Sequence, residues 1–192
     1  MGTEAAGRNH TGHSEKQRDV FGIVPIVELI FVCGVIGVLC SIALPRLLMA
    51  RQSASTASAI ASMRVINSSQ LTYALTCGSG FYAPNLTTLG TPPPGSQQAF
   101  ITPGLGAADT VTKSGYVFTM GATTYPGSPA ACNGLGPGLA GQGFSATADP
   151  TEPSNFRFFG TNASNIIYEN TSTLVGSMTE TGPPPIGQMV VH

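Results

Sequence analysis

Hydrophobic and polar positions divide the chain into four stretches. Residues 1–20 are polar, carry Glu4, Arg8, Glu15, Lys16, Arg18 and Asp19, and show no hydrophobic period. They read as a disordered leader, with His10 and His13 solvated in it. Residues 21–44 (FGIVPIVELIFVCGVIGVLCSIAL) are apolar apart from Glu28. As a helix they span about 36 Å, enough to cross a ~30 Å hydrocarbon core. The stretch is longer than the apolar part of a secretory signal, and no small-x-small cleavage site follows it. Pro25 is harmless only in a first helical turn, so it predicts a helix start near Ile23 or Val24. Lys16 and Arg18 lie ahead of the stretch and Arg46 and Arg51 behind it, so charge alone does not orient it.

Residues 47–76 continue as a second helical stretch without Gly or Pro. Ile60, Met63, Leu71 and Ala74, with Asn67, predict one buried stripe. Small residues at 53–62 let a neighbouring helix approach closely, and Cys77 with Gly78 predicts the stop. An unbroken helix from 23 to 76 would be about 80 Å long. No single small domain buries such a rod, so part of it is expected in membrane or against other subunits.

From Cys77 the character changes. Residues 77–112 read as loop, with TPPPG at 91–95 and PGLG at 103–106. Short β-type runs follow at 115–120, 143–148, 155–159 and 165–169, separated by Gly, Pro and Asn turns, which predicts a small antiparallel sheet. The insertion at 121–141 is mostly Gly, Pro and Ala, too apolar for a solvated loop, and is expected to pack against a partner. The tail from 170 shows no clear period.

Composition narrows the function classes. Of 192 residues only 9% are charged, eight Lys or Arg against nine Asp or Glu, where a soluble domain carries about 25%. Eight cations spread over the chain make no strong field, so nucleic-acid binding is not expected. With 42% hydrophobic residues, a charge-stabilised disordered chain is excluded. Four cysteines exclude a disulfide-dense miniprotein. No nucleophile–base pair, metal-ligand spacing or phosphate-cradling loop is present, so neither an enzyme nor a cofactor is expected.

Glu28 is the informative residue, because a carboxylate in an apolar span costs several kcal/mol unless paired or protonated. Gly37 follows nine residues later and Pro45 seventeen. This segment resembles the N-terminal helix of type IV pilins and type II secretion pseudopilins. Mature chains of that family begin with an apolar helix, carry a lone Glu at the fifth position, and have helix-weakening Gly and Pro further on. The run at 54–75 also resembles the family, and KSGYVF at 113–118 with FSATAD at 144–149 looks like its sheet. The resemblance covers 22–89 and 113–169 and leaves out 1–20.

The resemblance implies an α+β fold: a long N-terminal helix, transmembrane in its first half, packed on a small antiparallel sheet. Residues 1–22 would be a cytoplasmic leader, 23–76 the helix with 23–44 in the membrane, and 77–192 an exported domain. One feature departs from the family, which carries Gly immediately before the prepilin-peptidase cut and an aromatic residue after it. Counting Glu28 as fifth puts the cut between Ile23 and Val24, yet Gly22 lies one residue earlier. Both bonds stay open, Gly22 to Ile23 and Ile23 to Val24.

The function implied is a structural subunit of a type IV pilus, a homo-oligomeric helical filament. Its partners are the prepilin peptidase, an inner-membrane assembly platform and the membrane itself. It would reside in a bacterial inner membrane before assembly, then in an extracellular or periplasmic filament. Alternatives are a pseudopilin of a type II secretion system and a bitopic membrane protein displaying a small periplasmic binding domain. Glu28, Gly37 and Pro45 are the assembly residues implied, with the amine freed by cleavage as the partner of Glu28. Cys77 and Cys132 fall in the exported region, where disulfides persist, and are expected to be bonded. Cys33 and Cys40 are expected to be packing residues. No Asp-x-Asp cluster supports calcium at Asp109, Asp149, Glu152, Glu169 or Glu180, so these read as solvated carboxylates.

Overall fold

The computed structural model describes residues 16–190, with side chains at 26–41, 43–44 and 46–190. The first fifteen residues of the leader, with His10 and His13, and the C-terminal His192 lie outside the described residues. The chain opens with helix α1 (Lys16–Thr76), then two short helices, α2 (Leu86–Gly90) and α3 (Pro103–Gly106). Six strands follow: β1 (Thr110–Lys113), β2 (Tyr116–Gly121), β3 (Ser145–Pro150), β4 (Phe158–Asn162), β5 (Ile167–Asn170) and β6 (Gln188–Met189). The fold is α+β. Two compact units divide the chain, Met1–Ala50 and Arg51–His192.

In the first unit α1 is already helical at Lys16, the first described residue, ahead of the start that Pro25 predicted. Lys, Gln and Arg at 16–18 favour helix, and Pro25 is accommodated inside it at the loss of one backbone bond. Every described side chain from 26 to 50 is exposed. Among the described residues no single helix is long and apolar enough to cross a membrane; Ile26–Ser41 and Arg46–Thr76 are so only together, across a bent break. The expected span at 23–44 is therefore not found as one straight element. Pro45 lies in the break, where a residue without an N–H removes one backbone hydrogen bond from the helix.

The second unit is built on the face that α1 turns to the sheet. Thr56, Ala59, Ile60, Met63, Ile66, Asn67, Gln70, Tyr73 and Ala74 are buried. Leu71, expected in this stripe, is 45% exposed, and Gln70 is fully buried instead. The expected positions follow a 3.5-residue repeat, whereas an α-helix turns every 3.6 residues. The buried line from Met63 thus passes through Gln70, and Leu71 falls about 80° away. Burial of the Gln70 amide is tolerated because Ala83 satisfies both ends of it. The Ala83 N–H donates to Oε1 and Nε2 donates to the Ala83 carbonyl, each at 2.9 Å.

The sheet is antiparallel throughout, and its strands lie side by side in chain order. Strand β2 alternates, with Tyr116, Phe118 and Met120 buried. Phe118 stands opposite Ala148, and Ala148 opposite Phe159. This row meets the helix. Asn67 Nδ2 donates to Thr161 Oγ1 at 2.8 Å, and the Thr56 hydroxyl lies 3.3 Å from that of Tyr116. The opposite face is covered by the chain after β5. Gly160 lies under Leu174 and Met178, where a Cβ would come within 2.8 Å of the Met178 sulfur. Thr173 donates to Asp149 at 2.6 Å, and Asn162 Nδ2 to the Thr179 carbonyl at 3.0 Å, strapping this segment down.

Four of the strands match expected runs, displaced by up to three residues. The short β1 and β6, with α2 and α3, occupy stretches read as loop or tail. These elements take their order from contacts far away in sequence. A Cβ on Gly90 would lie 2.2 Å from the Gly106 carbonyl oxygen, so α2 and α3 meet through bare backbone. Part of the 121–141 insertion packs on its own unit. Tyr82 and Gly141 exchange backbone hydrogen bonds of 2.9 and 3.0 Å, and Ser128, Ala131 and Ala140 are buried.

A disulfide joins Cys77, at the end of α1, to Cys132 in that insertion, across 55 residues of sequence. In the chain-entropy view such a loop stabilises by roughly 4 kcal/mol. Reduction should lower the denaturant midpoint of the second unit accordingly. Thiol labelling should reach Cys77 only after reductant; equal labelling without reductant would contradict the bond.

Tyr73 is fully buried one turn before the disulfide, with its ring edge-on to Phe100 at 5.2 Å and no partner for its hydroxyl. Burial pushes its phenol up from 10.0 to about 12. The folded protein therefore keeps this proton where the unfolded chain has lost it. Its contribution to stability is full below pH 10 and lost as pH rises toward about 12. Tyr73→Phe keeps the ring and removes the unpartnered hydroxyl. Stability should be unchanged or raised by up to about 1 kcal/mol, and the alkaline loss should shrink. Urea titrations at neutral and alkaline pH measure both.

Candidate functional site

The candidate assembly site is the helical segment from Ile26 to Ala50 in the first unit. It is apolar on every side: Ile26, Leu29, Phe31, Val35, Leu39, Leu47 and Met49 are all between 44% and 71% exposed. Burying such side chains is worth about 1.5–3 kcal/mol each, and this unit buries none of those described. Within the segment stand one acid, Glu28, and one base, Arg46. Both are exposed. Among the described residues the single ion pair is Arg157 with Glu169, so Glu28 has none.

The three assembly residues expected from sequence are spread along the helix rather than gathered. At about 100° per residue, Gly37 lies on the side opposite Glu28. A Cβ there would meet nothing within 4 Å, so the glycine is not required by packing inside the chain. Pro45 lies in the break. The face that Glu28 occupies instead carries Val35 and Leu39, each within about 20° of it, and Phe31 to one side. Phe31, Gly34, Val35, Val38 and Leu39 line a shallow apolar concavity of about 460 Å³. Gly34 makes this notch, because large side chains three and four residues away stand up around a position without one. Sequence reading passed over it by fixing on Gly37; the flanking Phe31 and Val38 were the available signal.

Gly22, Ile23 and Val24 lie inside α1. Both candidate scissile bonds therefore sit in a hydrogen-bonded turn that must open before a peptidase can reach them. Cys77 and Cys132 are brought together, whereas Cys33 and Cys40 are free and exposed. The acidic residues are dispersed among separate contacts. Asp109 accepts from the Thr87 hydroxyl, Asp149 from Thr173, and Glu180 from the Thr123 N–H. Glu169 pairs with Arg157, whose guanidinium pKa is raised by that hydrogen bond and whose charge lies over the Phe159 ring at 5.6 Å. Among the described residues no group of three or more His, Cys, Asp or Glu is placed to hold a metal ion. Asn85, in a glycosylation sequon, is occupied as the cap of α2, taking the Thr88 N–H at 2.9 Å.

No family model, curated protein or solved structure matches the chain. The chemistry of the segment therefore rests on its own residues.

On the prepilin reading given by the resemblance, cleavage is expected between Gly22 and Ile23 or between Ile23 and Val24. The leader holds six charged residues that an apolar assembly cannot absorb. N-terminal sequencing of membrane-extracted protein should find Ile23 or Val24 first. Intact Met1 in assembled material would overturn both positions.

Proposed function

We propose that the chain is a structural subunit of a type IV pilus-like filament, held in an inner membrane by α1 and polymerised through its apolar segment. One observation carries this reading: a helix apolar on all sides, whose described side chains from 26 to 50 are all exposed, with a single acid at Glu28. A helix that is apolar all round belongs in lipid or in a core formed with other chains. The second unit is consistent with that role, since it has a hydrophobic core of its own.

In this mechanism a peptidase removes the leader, and the freed amine on Ile23 or Val24 becomes available to Glu28. Subunits leave the membrane through an assembly platform, and their apolar helices bundle. Pro45 and Gly37 weaken the helix between them, by about 3 and 1 kcal/mol relative to Ala, so that this part can stretch as subunits pack. The weakly charged, Gly- and Pro-rich exterior favours a packed surface filament over a short periplasmic piston of a secretion system. Electron microscopy of sheared cell-surface material, with mass spectrometry of the filaments, tests the choice. Long filaments containing this chain support a pilus, and their absence from the surface favours the piston.

Glu28→Leu should insert into the membrane as well as wild type, since it removes a charge that opposes insertion. It should lose filaments or misregister them. Normal filaments at wild-type levels from Glu28→Leu would refute a pairing role for the carboxylate.

A further inference from the structure

Arg51 opens the part of α1 that belongs to the second unit, and two turns of the chain gather beside it. Gln52 Nε2 donates to the Ser154 hydroxyl at 3.4 Å. A Cβ on Gly115, in the turn between β1 and β2, would lie 3.8 Å from Cβ of Ser55 and 3.9 Å from the Thr151 hydroxyl. The Thr151 N–H donates to the Gly115 carbonyl at 2.9 Å. One end of the unit is thus made of the start of its helix, the β1–β2 turn and the β3–β4 loop.

From this end Phe156 projects, 65% exposed, the most exposed aromatic side chain described in the unit. Its loop is held on both sides. Asn155 is buried; its Nδ2 donates to the Tyr116 hydroxyl at 2.9 Å, and its Oδ1 accepts the Arg157 N–H at 3.1 Å. The Asn155 N–H donates to the Glu152 carbonyl at 3.0 Å. The ring is therefore presented outward by a fixed backbone, and covering it needs little further ordering. Arg51 is exposed beside Gln52, and Lys113 is half-buried ahead of the β1–β2 turn. Glu152 is exposed on the loop, so charge at this end is nearly balanced and the ring is its distinguishing feature.

The chain supplies the occupant. Met49, the last large apolar side chain of the exposed segment, precedes Gln52 by three residues, an advance of about 4.5 Å along a helix. Leu47, Leu48 and Met49 stand between Arg46 and Arg51. Apolar side chains between two arginines suit the boundary of a bilayer, where arginine stems lie in lipid and their charges in water. We propose that the β3–β4 loop rests on the membrane that holds the segment. The Phe156 ring lies where headgroups meet acyl chains, and Arg51 and Lys113 lie beside phosphates. The inference rests on the membrane reading above and adds to it the face that the second unit turns to lipid before assembly.

The chain has no tryptophan, so Phe156→Trp and Tyr125→Trp each place a single fluorescent probe in the full-length protein. Tyr125 stacks on Phe81, just past the end of α1, and from Gln52 to Thr76 a helix advances about 36 Å. Each variant is reconstituted in vesicles of phosphatidylethanolamine and phosphatidylglycerol, with or without bromine high on the acyl chains. Bromine should cut the Phe156→Trp emission about twofold and leave Tyr125→Trp unchanged. Ser154→Trp, on the same exposed loop, serves if Phe156→Trp does not fold. An unquenched probe on the loop, in protein that floats with the vesicles, would overturn the contact and leave the membrane reading standing. Equal quenching of both probes would overturn it too, since lipid then meets no particular face. Loop emission that shifts to the blue as protein is concentrated in the vesicles, indifferent to bromine, would assign the loop to a second copy instead. Protein that stays out of the vesicle fraction in every variant and in wild type would overturn the membrane reading together with the contact.

Discussion

One helix carries two surfaces that cannot be satisfied in the same way. After Arg51 it is amphipathic and buries one line of residues against a sheet built by its own chain. Before that point it is apolar all round and none of its described side chains is buried. The hydrophobic effect scales with the apolar area removed from water, so the first surface folds a domain and the second demands something outside the chain. The other features follow from this division. The leader, the lone charges and the weak points lie on or ahead of the unsatisfied half, while the disulfide and the polar seams lie in the satisfied one.

Within the second unit, polar groups rather than bulk set how the helix sits. Asn67 reaches Thr161, Gln70 clasps Ala83, and Thr56 meets Tyr116, whose hydroxyl also takes the Asn155 amide at 2.9 Å. Each of these groups would be costly to bury alone. A slide of the helix by one turn would keep much apolar contact but strand all of them. Tyr73 has no such partner, and its ring against Phe100 and beside Gly78 serves as filler where α1 ends.

Patterns with a local cause were legible in the sequence. The helix stop at Cys77 and Gly78, the apolar segment, and four strands bounded by turn residues all came from spacing and composition. What stayed hidden depended on partners distant in the chain. Gln70 reads as a surface residue until Ala83 is placed against it. The four residues of β1 become a strand only because β2 lies beside them, and the two of β6 only because β5 does. The helix is already formed at Lys16 and runs through Pro25, so one proline could not fix its start. In the apolar segment Glu28 shares a face with Val35 and Leu39, an arrangement that the spacing along the helix already contained.

The strand order also bears on how the second unit reaches its folded state. Each strand pairs with the one made just before it, and the loops from β1 to β2, β3 to β4 and β4 to β5 are short, while long segments join β2 to β3 and β5 to β6. The helix cannot join in this way. The hydrogen bond from Asn67 to Thr161 spans 94 residues, and the loop entropy of that closure is met only once β4 exists. Until then the line of α1 around Asn67 lacks its sheet partner, although Gln70 can already meet Ala83 only 13 residues on. The end of the helix thus has a partner nearby in the chain, whereas its middle depends on one made much later, and that middle is the part left open longest to other apolar surfaces.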